Sequence, residues 1–451
     1  MVPEARRSWL LGLFGCYFVA ALACSAARPL WMDEVFQLVA TSAQTADDFM
    51  RNMGSTNPGA APLGYLTQRP FVLAAGGANL WVRLPSILFS IISCWALARI
   101  CRELRMPQIS LLATVLFMAM PLQLRYATEG RPYSEALAFS LLAILVFLKL
   151  TISPSVPMTI LCILAIVAAI YTQPYAILNV SAVVFWATIT NAKKGNWRVA
   201  VVGPACLLTS VLCFLPWYFL ETRKWATGIQ EHGIPAFHWT LALLLDVFKG
   251  LSGDGFLCSA AVLFLAAMAF LARPEFRWLL LATILFPMVG ALVGDAFANY
   301  FFASRQILFA LPGLVILGAL GFLELHRRSK ILGIVAMAVL LGAALQKDVT
   351  MQMNSRENWP AAARAVADVA GSGRCIEVVP ATSLDLYTYF VPDLKNKVCT
   401  ATPVQPGAAL ISSFYTTSAE LIVAADHLRD QGFAPVQSTA VGGTTITLEN
   451  K

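Results

Sequence analysis

Apolar residues in this chain come in long blocks. Runs at 8–26, 80–100, 109–124, 133–150, 157–172, 175–191, 199–218, 255–272, 277–294, 305–324 and 330–346 carry few charges. A bilayer core takes roughly 20 helical residues, so the pattern predicts a polytopic α-helical membrane protein with about eleven transmembrane helices. The run 60–76 is weaker, contains Gln68, Arg69 and Pro70, and reads as a re-entrant or interfacial segment. Beyond residue 346 the pattern changes. CIEVVP, ALISSF and TTITLEN read as strands, and AELIVAADHLRDQGF as an amphipathic helix. The expected organisation is a transmembrane domain, 1–346, followed by a small soluble α/β domain, 347–451.

Composition agrees with the blocks. Of 451 residues, 58% are hydrophobic and only 13% charged, where soluble proteins carry about 25%. The net charge of +7 does not imply nucleic-acid binding, because the basic residues form short clusters between apolar runs. These are Arg99, Arg102 and Arg105; Lys149; Lys193, Lys194 and Arg198; Arg273 and Arg277; and Arg327, Arg328 and Lys330. With Arg6 and Arg7 inside, and the first run kept as an uncleaved helix, every cluster falls inside, as the positive-inside rule requires. The stretches 28–79 and 221–254 and the C-terminal domain then lie outside. Eight of the ten cysteines sit in or beside apolar runs, as small core residues do. An oxidising outer compartment would join Cys375 to Cys399; two buried free thiols are the alternative. No CxxC or Cys/His spacing suggests a metal site.

This topology sorts the polar residues to one level. PLWMDEVFQL places Asp33 and Glu34 just outside the first helix. LRYATEGRPYSE places Arg125, Glu129 and Arg131 in a short outer turn. YTQPYA contributes Tyr171 and Gln173, and Arg305 opens the tenth run from outside. Charge near membrane depth is costly, about 2.5–3.5 kcal/mol at a helix centre, and marks function or internal pairing. An ion-pair network, such as Glu129 with Arg83 or Arg131, is the structural alternative. Adjacent acids on a helix do not face the same way, which argues against Asp33 and Glu34 as a glycosidase dyad across one bond. One carboxylate to deprotonate an acceptor hydroxyl, with arginine forks to hold a departing phosphate, instead describes sugar transfer from a lipid phosphate.

In order, WMDEVFQL, NPGAAPLGYL, WVRLPSILFS, YATEGRPYSEAL, ASRQILFALPGLVILGA and ENWPAAARAVADV resemble the GT-C membrane glycosyltransferases. The branch is that of the protein O-mannosyltransferases, the aminoarabinose transferase of lipid A and the RgtA/B/C/D-like bacterial enzymes. The resemblance implies a catalytic role for Asp33 with Glu34 orienting the acceptor or the loop. It places Arg131 and Arg305 at the donor phosphate, and Glu129, Tyr133, Tyr65, Arg83, Tyr171 and Gln173 around the substrate. The expected enzyme is an inverting glycosyltransferase of a bacterial inner membrane, with its C-terminal domain in the periplasm. Its donor is a polyprenyl-phosphate sugar and its acceptor a glycan, lipid or protein hydroxyl. Where the family often has His-Pro-Pro-Leu this chain has Ala60-Ala61-Pro62-Leu63, and Gln173 stands where a histidine often follows Tyr-Thr. A divalent cation is therefore left open. His232 and His238, in the second outer stretch, read as solvated. Trp31, Phe36 and Tyr65 suit either sugar stacking or anchoring at the membrane interface. A lipid-linked glycan flippase is a competing class, but it would place acids at the midplane and show repeats. A non-catalytic assembly subunit is a third.

Overall fold

The structure, a computed structural model, describes residues 7–76, 78–224, 241–253, 255–272, 274–298, 304–353, 357–399, 407–413 and 416–450. All eleven predicted runs are helical. In chain order the helices are α1 (Arg7–Ala27), α2 (Met32–Thr41), α3 (Ala46–Thr56), α4 (Leu63–Ala75), α5 (Asn79–Glu103), α6 (Ser110–Ala119), α7 (Pro121–Ala127), α8 (Tyr133–Ile152), α9 (Val156–Thr172), α10 (Ala176–Lys193) and α11 (Trp197–Trp217). They continue as α12 (Leu241–Leu251), α13 (Phe256–Ala272), α14 (Pro274–Ala298), α15 (Leu311–Arg328), α16 (Lys330–Met353), α17 (Trp359–Gly371), α18 (Leu384–Thr388) and α19 (Ser418–Asp430).

Among the described residues, six helices are each long and apolar enough to cross a membrane, and counting two bent pairs as single spans gives eight. One bend has a clear cause. The run 109–124 breaks by 68° between α6 and α7, where Met120 turns extended ahead of Pro121. A residue before proline is pushed out of the helical region, and proline lacks the N–H that would continue the ladder. The weak run 60–76 becomes α4, a 13-residue helix with Pro70 inside it, too short to span on its own. The predicted second outer stretch lies partly outside the described residues, at 225–240, and His232 and His238 with it.

The chain forms two compact units. One comprises Met1–Ala26, Pro58–Ala74 and Leu80–Gln352; the other comprises Ala27–Asn57, Ala75–Asn79 and Met353–Lys451. In the first, α15 runs through the core, with Leu311, Val315 and Ala319 fully buried. Gly321 allows its closest approach to a neighbour: a Cβ there would collide with the Leu265 carbonyl of α13. Small residues let membrane helices meet backbone to backbone, and backbone cannot yield as a side-chain tip can. Gly321→Ala is therefore expected to cost about 1–3 kcal/mol or more, read as a lower melting temperature in detergent. An unchanged melting temperature would mean that α13 and α15 separate freely.

The second unit carries a four-stranded sheet of β1 (Cys375–Val379), β2 (Gly407–Ser413), β3 (Ala434–Val441) and β4 (Thr444–Asn450). Its order is β1-β2-β4-β3. β1 and β2 are parallel, and the other pairs antiparallel. Val379, Leu410, Leu428 and Phe433 close a core between the sheet and α19. Cys375 and Cys399 are joined by a disulfide across 24 residues. Closing a loop of that length removes unfolded-state entropy worth about 3 kcal/mol. Reduction in the full chain should thus speed hydrogen exchange over 375–450 while leaving the apolar helices protected; equal exchange in both redox states would contradict this. The first outer stretch also belongs to this unit: α2 and α3 pack together, and α2 rests on α18.

Candidate active site

The DE pair opens α2, and the two acids have different surroundings. Trp31 is the N-cap residue, and its N–H donates to Glu34 Oε2 at 3.1 Å. This is the reach-back half of a capping box. Glu34 is completely buried. Met32 is the first helical residue, so its N–H has no partner within the helix. It donates to Glu357 Oε2 at 2.9 Å, and the Trp359 indole N–H donates to the same oxygen at 2.6 Å. Two buried carboxylates thus meet the positive end of α2, where negative charge is favoured. Asp33, the residue before Glu34, is only half-buried. Burial pushes Glu357 above the usual carboxylate range, and the neighbouring charges of Asp33 and Glu34 push it further; the Met32 and Trp359 donors oppose this.

In the first unit, the motifs around Arg83 and Arg131 are hydrogen-bonded to each other. Ser86 Oγ donates to the Arg131 carbonyl at 3.0 Å. Gln68 of α4 donates to the carbonyls of both Val82 and Gly130, at 2.7 and 3.0 Å. The turn before α8 is therefore pinned by side chains from α4 and α5. Arg131, 8% exposed, lies with its guanidinium carbon 5.9 Å from the centre of the Tyr133 ring. Arg305 lies 5.9 Å from the same ring. Both are within reach of a cation–π contact. Tyr133 also stacks edge-on with Tyr126 at 5.0 Å. Two cations separated by 174 residues in sequence thus converge on the first residue of α8.

The other predicted residues have separate settings. Glu129 is buried and accepts from Arg125 Nε at 3.1 Å. Arg83 is buried and donates to the Ser25 carbonyl at 2.7 Å. Tyr65 is buried in α4. Tyr171 donates to the Cys213 carbonyl at 2.9 Å and packs edge-on against Phe214 and tilted against Trp217. Trp217 in turn donates to the carbonyl of Ala60 at 3.2 Å, so the AAPL stretch is tied to this aromatic corner. Gln173 ends α9, half-buried. Two acids had escaped the sequence reading. Glu135, two residues past Tyr133, is buried and accepts from Thr67 Oγ1 at 2.7 Å. Glu357 was visible only as an acid shortly before a Trp-Pro helix start. Among the described residues, no three His, Cys, Asp or Glu side chains converge to hold a metal ion.

Comparison with known proteins agrees with this architecture. The family model described as dolichyl-phosphate-mannose-protein mannosyltransferase matches residues 59–219. ArnT from Cupriavidus metallidurans in the apo state superposes over 98% of both chains, with a TM-score of 0.64 at 12% identity. ArnT bound to undecaprenyl phosphate covers 99% of both chains, with a TM-score of 0.60 at 11% identity. The archaeal oligosaccharyltransferase AglB from Archaeoglobus fulgidus, in complex with an inhibitory peptide and a dolichol-phosphate, matches 97% of this chain and 74% of its own, with a TM-score of 0.51 at 9% identity. A search of curated proteins gives no match. This chain shares its fold with ArnT and AglB.

Proposed function

We propose that this protein moves a sugar from a polyprenyl-phosphate donor to a hydroxyl of a glycan, lipid or protein, on the periplasmic face of a bacterial inner membrane. The observation that carries this reading is the convergence of Arg131 and Arg305 on Tyr133. Two arginines offer fork-shaped donors to phosphate oxygens, and the N-terminus of α8 adds its own positive potential. Undecaprenyl phosphate in ArnT and dolichol-phosphate in AglB support a lipid phosphate as the ligand class.

The step is a single displacement. The acceptor oxygen attacks the anomeric carbon as its proton passes to the Asp33 carboxylate. The bond from that carbon to the phosphate oxygen breaks, its electron pair leaves on the phosphate, and Arg131 and Arg305 stabilise the charge. The products are an inverted glycoside and the polyprenyl phosphate. Glu34 holds the start of α2, while Glu129, Tyr65, Arg83, Tyr171 and Gln173 shape the surroundings. Native mass spectrometry of the detergent-purified protein tests the donor class. Undecaprenyl phosphate should remain bound and be lost from an Arg131→Ala/Arg305→Ala double variant. Retention of a nucleotide sugar in its place would overturn the reading.

A further inference from the structure

The residues that hold Glu357 all lie in the sheet-bearing unit and form a continuous chain of contacts. The β3–β4 hairpin turns on Gly442 and Gly443, both at positive φ, as a two-residue hairpin loop requires. The Gly442 carbonyl accepts from the Asn358 N–H at 3.0 Å, and a Cβ on Gly442 would meet that residue's backbone. Next along, Trp359 is fully buried and packs edge-on against Tyr387 at 5.6 Å. The Tyr387 hydroxyl is paired with Thr444 Oγ1 of β4 at 3.0 Å. Both backbone and side chain therefore fix the segment 357–359 to the hairpin, and Glu357 Oε2 passes that constraint to the Met32 N–H.

We propose that Glu357 is the positioning residue for Asp33: through it the C-terminal sheet sets the start of α2 and so the place of the Asp33 carboxylate. This rests on the reading of Asp33 as the base. It also gives the C-terminal unit a task in the reaction that requires no acceptor contact. Asp33 immediately follows Met32, so a shift at Met32 moves it directly. A displacement of about 1 Å at a reacting group costs on the order of 10²-fold in rate.

The test compares wild type with Glu357→Ala, Glu357→Gln and Asp33→Asn, each as full-length protein in detergent. Turnover is followed with the polyprenyl-phosphate sugar that accumulates in cells expressing Asp33→Asn, and donor binding with undecaprenyl phosphate. Glu357→Ala should lower kcat by about 10²-fold with undecaprenyl phosphate affinity unchanged. Glu357→Gln keeps an oxygen acceptor for Met32 and should restore most of kcat. Wild-type kcat in Glu357→Ala, with Asp33→Asn inactive, overturns the positioning role alone. So does an equal loss of kcat in the Ala and Gln variants, which marks a merely structural residue. Turnover by Asp33→Asn would instead overturn the underlying assignment of the base.

Discussion

Asp33→Asn should lower turnover by two to four orders of magnitude, the range expected when a general base is removed. The amide is nearly isosteric with the acid but cannot take the acceptor proton. The fold should survive, because the first two N–H groups of the helix start are held by Glu34 and Glu357. Expression level, melting temperature and undecaprenyl phosphate binding should all match wild type. Turnover within tenfold of wild type in a folded Asn variant would remove Asp33 from the chemistry.

Arg131→Ala and Arg305→Ala should act on the donor. Truncating one member of a desolvated charge contact costs about 2–5 kcal/mol, or upward of about 30-fold in affinity. The larger effect belongs to Arg131, the more buried of the two. Arg305→Lys should recover only part of the loss, since a lysine keeps the charge but not the planar fork. Titration with undecaprenyl phosphate reads this directly, and the acceptor KM should stay near wild type. Unchanged donor affinity in both alanine variants would leave the pair with a role in packing on Tyr133 alone.

What the sequence reveals here follows from the range of each interaction. Membrane helices are legible because each must satisfy its own backbone over a fixed length, and every predicted apolar run is a helix. The break at Pro121 is local chemistry inside one such run and is masked by its hydrophobicity. Strands β1, β2 and β4 announce themselves through apolar positions. β3 does not, because as an edge strand it is exposed along almost its whole length and carries no burial pattern. The two arginines were identifiable as costly charges at one level of the membrane, but nothing in their spacing shows that they meet on one tyrosine ring. Glu357 is harder still: it caps a helix 325 residues earlier in the chain, and no periodicity connects such partners.

The most direct measurement is mass spectrometry of lipid extracts and envelope glycans from host cells carrying the wild-type or the Asp33→Asn gene at matched protein levels. The proposed reaction predicts that one glycan or lipid loses a single sugar in the variant while the corresponding polyprenyl-phosphate sugar accumulates. Identical profiles from the two strains would contradict it.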